Sequence, residues 1–459
     1  ISTLSDSLME DIRTRGGPRA LILNTCRFGP HSKGDDSRDP ERLAILQRDR
    51  DPVAIHAPRL DAETRAVIKS EINAEVETAF EQATNDPMPQ STNPQSTIPH
   101  STNPQSTNSH STNNQFTIPH STIPHSTVLQ SLNAALHQAL STDERTLVMG
   151  EDILDPYGGA FKVTKGLSDA FPQRVLTTPI SEAGIVGVAA GMALRGLRPV
   201  VEIMFGDFIT LIADQLINQI AKFRWMYNDQ VRVPLVIRTP MGGRRGYGPT
   251  HSQSLEKLYL GVPGLRVLAP SALGNPGELL AQAIAADDPV LFIENKLLYL
   301  TPLQDADSLS EFNLTSFTSP NGCGDGYTLT VRGAPPPELT IAAYGYMAEL
   351  ARQAVRTLAY QHEIFAELVL PTQLAPFDIE PILDSTRRTR RLLVAEEGTF
   401  TLGWGAEVVA RAAESMGSNL RAVQRVAALD TPIPASVQLE NVVLPGVNDI
   451  VAAARSMFK

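Results

Sequence analysis

The sequence has 459 residues, 42% of them hydrophobic, and a net charge of −11 at neutral pH. This charge excludes the broad basic surface through which proteins bind nucleic acid. No apolar run reaches the ~20 residues of a membrane helix, so we expect no membrane partner. With two cysteines, Cys26 and Cys323, a disulfide framework is excluded, which fits a reducing, cytoplasmic compartment.

Residues 1–88 are typical of the end of a domain and not of a whole one. Residues 19–25 (RALILNT) have the apolar run of a buried strand, and Asp61 is placed to cap a helix. The apolar residues of one face of that helix are Val67, Ile68, Ile72, Val76 and Phe80. One strand and a few helices cannot enclose a core, so we expect other residues to complete this domain. The sequence opens at Ile1 without a domain-opening pattern, so we also expect residues upstream.

Residues 89–130 form a low-complexity linker with a five-residue repeat that runs from STNPQ to STVLQ. The repeat has almost no apolar surface to bury, so we predict that it stays disordered, with some polyproline character. Its histidines are His100, His110, His120 and His125. A metal site on them would need a fold to fix its geometry, and the alternative is a plain spacer.

Strands alternate with helices along the rest of the chain, which predicts an α/β protein with parallel sheets. Residues 131–310 are predicted to contain helices at 131–140, 209–226 and 275–286 and strands at 146–150, 199–205, 233–239 and 290–294. Residues 302–338 look irregular and end in three prolines, so we expect residues 311–338 to connect two domains. Residues 339–459 are predicted to contain strands at 339–345, 365–370 and 391–397 and helices at 347–360, 378–386 and 405–416.

The central element of the chain is residues 177–208, where Glu182 follows a short extended stretch and opens a helix rich in small residues. One hypothesis is that Glu182 only complements the positive end of the helix dipole, while the glycines allow close helix packing. The other is that it is a buried carboxylate at a subunit interface, placed to polarise a cofactor. These residues alone leave both hypotheses open.

Several motifs, taken together, resemble a known family. The run ISEAGIVGVAAGM carries Glu182, Gly187 and Gly191 in the spacing of the pyrimidine domain of thiamine diphosphate enzymes. Residues 131–459 as a whole are similar to the beta subunit of the 2-oxo acid dehydrogenase first component, as in the pyruvate, branched-chain and acetoin dehydrogenases. Besides the run at Glu182, the motifs that carry this similarity are GEDILDPYGGAFKVTKGL, EIMFGDF, GPTHSQS, AADDPVLFIEN and AEEGTFTLGWGAE. Residues 18–88, with RFGPHSKGDD, resemble the C-terminal end of the alpha subunit. The resemblance implies a transketolase-like α/β fold, with a pyrimidine-binding domain followed by a transketolase C-terminal domain.

The resemblance also assigns roles to single residues. It places Glu182 at the pyrimidine ring nitrogen of thiamine diphosphate, where a carboxyl group favours the tautomer that takes the proton from the reactive carbon. Phe208 corresponds to an aromatic residue that contacts the same ring, and His251 to one that assists substrate binding or acyl transfer. His31 corresponds to an alpha-subunit histidine near the diphosphate, although the Tyr-Arg pair usual after it is absent here. A structural potassium ion, held largely by backbone oxygens in the family, would use Leu235, Ala283, Ile284, Ala286 and Asp288.

The family's magnesium and diphosphate site has no counterpart that we recognise in this sequence. Relatives hold both with a Gly-Asp-Gly motif and an Asn roughly 25 to 30 residues later, which are hard oxygen ligands for a hard cation. Gly324-Asp325-Gly326 is present, but the next Asn is Asn419, so we regard the tripeptide as unrelated. We therefore expect magnesium to bind on an alpha part outside this chain.

The implied function is thiamine diphosphate-dependent oxidative decarboxylation of a 2-oxo acid, with acyl transfer to the lipoyl group of a dihydrolipoyl acyltransferase. The implied assembly is a heterotetramer of two alpha-type and two beta-type parts that docks on the acyltransferase core. Two alternatives remain at this point. The chain is either a silent or interaction subunit that lacks the diphosphate site, or a transketolase-like ketol transferase. The sequence does not identify the 2-oxo acid.

Overall fold

The computed structural model describes residues 2–15, 27–28, 38–85, 126–318 and 323–459. The chain divides into two compact units, residues 1–88 and residues 89–459. Three sequence predictions lie outside the described residues: the strand at 19–25, the catalytic role of His31, and the repeat up to residue 125.

The first unit is helical where it is described. Its helices are α1 (Ser2–Arg15), α2 (Pro40–Arg50), α3 (Pro52–His56) and α4 (Ala62–Asn85), with a 3-10 turn at Ala57–Arg59. Asp61 caps α4 as predicted, because its carboxylate accepts from the Thr64 amide at 2.8 Å and from the Thr64 hydroxyl at 2.6 Å. The five apolar side chains predicted on one face of α4 are between 40% and 75% exposed. Within its described residues, α4 thus buries no apolar face of its own.

The second unit contains two sheets. Its strands are β1 (Thr146–Gly150), β2 (Val175–Thr177), β3 (Arg198–Glu202), β4 (Val236–Met241), β5 (Arg266–Leu268), β6 (Val290–Asn295), β7 (Phe312–Thr318), β8 (Asp325–Val331), β9 (Leu339–Ala343), β10 (Ala366–Leu370), β11 (Gln373–Ala375), β12 (Arg391–Thr399) and β13 (Ala422–Ala428). The first sheet has the order β11-β5-β6-β4-β3-β1-β2 and is parallel except for β11. The second has the order β13-β12-β9-β10-β8-β7, in which β7 and β8 run antiparallel to their neighbours.

Helices connect and cover these strands, as the alternating pattern predicted. They are α5 (Val128–Thr142), α6 (Leu167–Ala170), α7 (Glu182–Leu194), α8 (Ala221–Met226), α9 (Pro276–Ala285), α10 (Met347–His362), α11 (Glu380–Thr389), α12 (Trp404–Met416), α13 (Val437–Val443) and α14 (Val447–Ser456). Helix α5 begins inside the predicted linker, because Thr127 and Gln130 form a capping box. The predicted helix at 209–226 is three segments: a 3-10 helix at Gly206–Ile212, a π-helix at Asp214–Ile220 and then α8.

The prediction of irregular structure at 302–338 is wrong. Strands β7 and β8 pair there over seven residues each and extend the second sheet at its edge. Both strands are largely polar and only half covered, so their sequences (FNLTSFT and DGYTLTV) lack the continuous apolar run that marked the central strands. The structure therefore assigns residues 312–318 and 325–331 of the expected connector to the second sheet.

The two sheets share one continuous apolar core. Met241 and Tyr259 of the first sheet's region belong to the same buried cluster as Tyr344 and Trp404 of the second. Their junction is therefore a fixed surface on which residues of both halves can meet. No helix among the described residues combines the length and apolarity needed to cross a bilayer.

Candidate active site

Glu182 is the first residue of α7 and lies just past the parallel strand β2. Its side chain is 8% exposed, and among the described residues its carboxylate has no hydrogen-bond partner. Ser181 holds the N-cap position and makes no side-chain cap bond. A carboxylate that only capped the helix would bond to its free amides. Glu182 is instead a buried acid whose oxygens remain available to a ligand, at the positive end of a 13-residue helix.

Glu151 lies beside Glu182, and the sequence reasoning did not single it out. It follows β1 directly and is 6% exposed, and its Oε1 has no hydrogen-bond partner within the described ranges. Burial first, and then the negative charges of Glu182 and Asp152, raise the pKa of Glu151 to about 7. The signal that could have found it is its position, an acid at the carboxyl end of a parallel strand where α/β proteins bind ligands.

Phe208 and His251 come together in the structure. The 3-10 segment that carries Phe208 packs against α7, the helix of Glu182. The imidazole of His251 lies edge-on to Phe208, with ring centroids 5.3 Å apart, and to Phe205, with centroids 4.7 Å apart. The hydroxyl of Thr250 is 3.0 Å from Nδ1 of His251. Two of the predicted site residues thus belong to one aromatic cluster beside the helix that carries the third.

Lys296 is a buried cation beside the predicted site residue His251, and it is not among the residues predicted from the sequence. It is fully buried, and its Nζ donates a hydrogen bond to the backbone oxygen of His251. The ammonium also lies 5.2 Å from the ring centre of Phe205 and 5.4 Å from that of Tyr247. Burial lowers the pKa of Lys296 to about 8, against the nearby charges of Asp207 and Glu397. Its position directly after β6, in the run VLFIENK, is the signal that could have found it.

A buried ion-pair triad lies along three central strands. Arg238 of β4 donates to both oxygens of Glu294 on β6, at 2.8 and 2.7 Å, and to Glu202 on β3 at 2.9 Å. Tyr299 donates to Glu294 at 2.7 Å. A Cβ at Gly159 would lie 2.9 Å from a Glu202 oxygen, and the φ of Gly159 is +79°, so glycine is required there. The glycine thus lets the segment after β1 approach the triad closely.

Three of the five positions predicted to hold potassium are engaged by arginine side chains in this structure. Arg198 donates through Nη1 to the backbone oxygens of Ile284 at 2.9 Å and Ala286 at 3.0 Å. The carboxylate of Asp288, the one side-chain ligand predicted, forms ion pairs of 2.6 and 3.1 Å with two further arginines. A cation added beside these guanidinium groups would be repelled. We therefore assign no potassium ion to these positions.

The structure offers no magnesium ligand set in the residues that it describes. No group of three or more His, Cys, Asp or Glu side chains in the described ranges could hold a metal ion. Asp325 of the Gly-Asp-Gly tripeptide begins β8, and its carboxylate accepts a hydrogen bond from Thr318 at 2.5 Å. It belongs to a strand hairpin and not to a phosphate loop.

Two family models match the chain. "Transketolase, pyrimidine binding domain" matches residues 126–301, and "Transketolase, C-terminal domain" matches residues 326–450. A solved structure titled "Split gene transketolase, inactive beta4 tetramer" aligns with a TM-score of 0.56 and 21% identity, over 72% of this chain and 98% of that one. The class of the protein is therefore transketolase-like, with the pyrimidine-binding and C-terminal domains in that order.

Curated relatives identify the family within the transketolase-like class. The chain is 39% identical over 328 residues to pyruvate dehydrogenase E1 component subunit beta-2 of Oryza sativa, covering 71% of this chain and 84% of that protein. It is 36% identical to the 3-methyl-2-oxobutanoate dehydrogenase subunit beta of Mycobacterium tuberculosis, covering 69% and 88%. It is 35% identical to the acetoin:2,6-dichlorophenolindophenol oxidoreductase subunit beta of Cupriavidus necator, covering 72% and 96%. The chain belongs to the family of beta subunits of the 2-oxo acid dehydrogenase first component, which implies thiamine diphosphate as the cofactor.

Proposed function

We propose that this chain is the beta-type part of an enzyme that decarboxylates a 2-oxo acid and passes the acyl group to a lipoyl arm. The observation that carries the proposal is Glu182 at the start of α7, a buried carboxylate that accepts no hydrogen bond from any residue in the described part of the chain. A carboxyl group left free in this way fits a heteroaromatic ring nitrogen, with which it can share a proton. The pyrimidine-domain match over residues 126–301 supports the same reading.

Each residue of the pocket has a part in this proposal. When bound, thiamine diphosphate supplies a carbon nucleophile that attacks the 2-oxo group and stabilises the charge left when carbon dioxide departs. Glu182 holds the proton at the ring nitrogen, and the neighbouring Glu151, with its pKa near 7, keeps that proton within reach. Phe208 covers one side of the pocket. His251, held by Lys296 and two phenylalanines, faces the substrate and donates a proton or hydrogen bond during acyl transfer.

The other half of the site is proposed to lie on an alpha part. Diphosphate and magnesium need hard oxygen ligands, and the described residues offer no cluster for them. We propose two alpha-type and two beta-type parts in the assembly, with residues 1–88 as the C-terminal end of an alpha-type domain. The acceptor is the lipoyl domain of a dihydrolipoyl acyltransferase. The electron pair left on the substrate carbon after decarboxylation reduces the lipoyl disulfide, so that one sulfur carries the acyl group as a thioester and the other becomes a thiol.

The test combines the full chain with an alpha subunit from the same source, thiamine diphosphate and magnesium. Lipoyl domain is added with pyruvate or a branched-chain 2-oxo acid, and its mass is followed. We expect carbon dioxide release and a lipoyl mass gain equal to the acyl group plus one hydrogen atom. Ketol transfer between sugar phosphates without lipoyl acylation would show a transketolase-like enzyme instead.

Calorimetry on the chain alone supplies the second readout. We expect no binding of thiamine diphosphate with magnesium until the alpha subunit is added. Tight binding by the isolated chain would overturn the division of the site between two parts. Absence of both binding and turnover in the mixture would favour a silent or interaction subunit.

A further inference from the structure

The loop that carries His251 begins directly after β4 with the sequence GGRRGYGPTH. Its φ angles are positive at alternate residues: +92° at Gly242, +66° at Arg244 and +68° at Gly246. Such alternation turns successive backbone amides toward one side and forms a concave binding site for an anion. Arg244 adopts this conformation although it has a Cβ, which costs energy unless a partner compensates for it.

Two carboxylates of the C-terminal domain occupy this concave surface. Glu397 of β12 accepts a hydrogen bond from the amide of Gly243 at 2.7 Å. Glu440 of α13 accepts from the amide of Arg244 at 2.6 Å and, through its other oxygen, from the amide of Gly246 at 3.3 Å. Both carboxylates are more than nine-tenths buried, so water cannot replace them at these amides.

The loop sequence fits these carboxylates closely. A Cβ at Gly242 would lie 2.8 Å from a Glu397 oxygen, and a Cβ at Gly243 would lie 3.1 Å from a Glu440 oxygen. Arg244 adds a hydrogen bond from its guanidinium to the backbone oxygen of Pro445, just after α13. Loop and C-terminal domain therefore meet through a specific set of contacts, and larger side chains at the two glycines would disrupt it.

The far end of the same loop is fixed from the first sheet. Lys296 donates to the backbone oxygen of His251, and the guanidinium of Arg245 donates to the backbone oxygen of Lys296 at 3.2 Å. The imidazole then lies between Phe205 and Phe208. The start of the loop continues from β4, and beyond the strand its amides at Gly243 and Arg244 bond to Glu397 and Glu440 of the C-terminal domain.

We propose that Glu397 and Glu440 are positioning residues for the substrate site, because they hold the His251 loop from the C-terminal domain. The kinetic part of this inference rests on the proposed function of His251, whereas the structural part does not. The two carboxylates make the C-terminal domain a component of the site, although neither carboxylate touches substrate. A change in the C-terminal domain at α13 is then transmitted to His251 through the loop backbone.

Trypsin tests the structural part directly, because the loop contains two adjacent cleavage sites, Arg244 and Arg245. A protease cuts such a site only after the loop opens locally. In the full chain, Glu440→Ala and Glu397→Ala should increase the rate of cleavage at this pair at least about tenfold, measured by mass spectrometry of the fragments. The matched control is Glu349→Ala, since Glu349 is equally buried in the same domain but contacts Gln304 and Arg352.

Kinetics of the assembled enzyme test the functional part. Glu440→Ala should raise KM for the 2-oxo acid or the lipoyl domain at least about fivefold, while the dissociation constant of thiamine diphosphate changes less than twofold. Glu440→Gln retains one acceptor oxygen and should fall between the alanine variant and the unmodified chain. Far-ultraviolet circular dichroism verifies that each variant is folded.

The outcomes separate this inference from the proposed function. Faster cleavage in both loop variants but not in Glu349→Ala supports the positioning role even if no substrate is turned over. Unchanged cleavage and unchanged KM in folded Glu440→Ala and Glu397→Ala overturn it. Equal acceleration in the Glu349→Ala control would also overturn it, because the effect would then be general destabilisation of the C-terminal domain.

Discussion

Replacement of Glu396 by Gln should make the protein more stable above neutral pH. Glu396 lies on β12 at the junction of the two sheets, is 1% exposed, and accepts one hydrogen bond, from the Gly405 amide at 2.9 Å. Burial first, and then the nearby carboxylate of Glu256, raise the pKa of Glu396 from 4.5 to about 7. The folded protein therefore binds this proton more tightly than the unfolded chain does.

The sign and size follow from the two pKa values. The contribution of the Glu396 proton to the free energy of unfolding is fully present below pH ~4.5 and is lost as the pH rises through ~7. At ~1.4 kcal/mol for each pH unit, the rise from 4.5 to about 7 corresponds to about 3 kcal/mol lost once the carboxylate ionises. Gln resembles the protonated acid and keeps an oxygen for the Gly405 amide. The stability difference in favour of Glu396→Gln should therefore grow by about 2.5 kcal/mol between pH 5 and pH 8.5.

Urea unfolding of both proteins at four or five pH values measures this difference. Glu349→Gln is the control, since Glu349 is buried but paired with Arg352 at 2.8 Å. The control should give an offset that changes much less with pH. Parallel stability curves for Glu396→Gln and the unmodified chain between pH 5 and pH 8.5 would refute the reasoning from burial.

Two further predictions concern buried charges near the site. Arg238→Met leaves the carboxylates of Glu202 and Glu294 buried without their partner, so it should cost about 3–5 kcal/mol in urea unfolding, and adding Gln at both glutamates should restore most of it. An unchanged unfolding midpoint in Arg238→Met would contradict this. Lys296→Met removes the donor to His251 and should raise KM for the 2-oxo acid several-fold. The lowered pKa of Lys296 also has a consequence for stability. Between pH 8 and pH 10.5 the unfolded chain still holds the lysine proton whereas the folded chain has lost it, so the free energy of unfolding of the unmodified chain should rise with pH. The Met variant has no such proton and should not show this rise.

The sequence predicted best those features that depend on neighbouring residues. The strand at 146–150 has the predicted bounds, because five apolar or small residues there are buried on both faces. The transketolase-like fold is confirmed by two sheets and two family models. The hairpin of β7 and β8 was missed because its pairing is supplied by β10, a strand distant in sequence, and not by its own apolar pattern.

The candidate site follows the same rule, because residues marked by a local sequence pattern were predicted and residues brought together only by the fold were not. Glu182 was found from a local pattern, since it opens a helix of small residues after a strand. Glu151 was not predicted from the sequence, because what marks it is its closeness to Glu182, and this closeness arises only when β1 and β2 pair in the fold. Lys296 looks like an ordinary polar residue after β6, and only the folded chain brings its ammonium to His251. The carboxylates that hold the loop come from a different domain, so no local pattern marks them.

The most direct test of the account compares Glu182→Gln with the unmodified chain in the assembled enzyme. Decarboxylation of the 2-oxo acid is measured with saturating thiamine diphosphate and magnesium, and cofactor binding is measured by calorimetry. The account predicts that turnover falls at least about a hundredfold while the fold and most of the cofactor affinity persist, because only the proton-sharing group is lost. Undiminished turnover in Glu182→Gln would contradict the central claim that this buried carboxylate activates the cofactor.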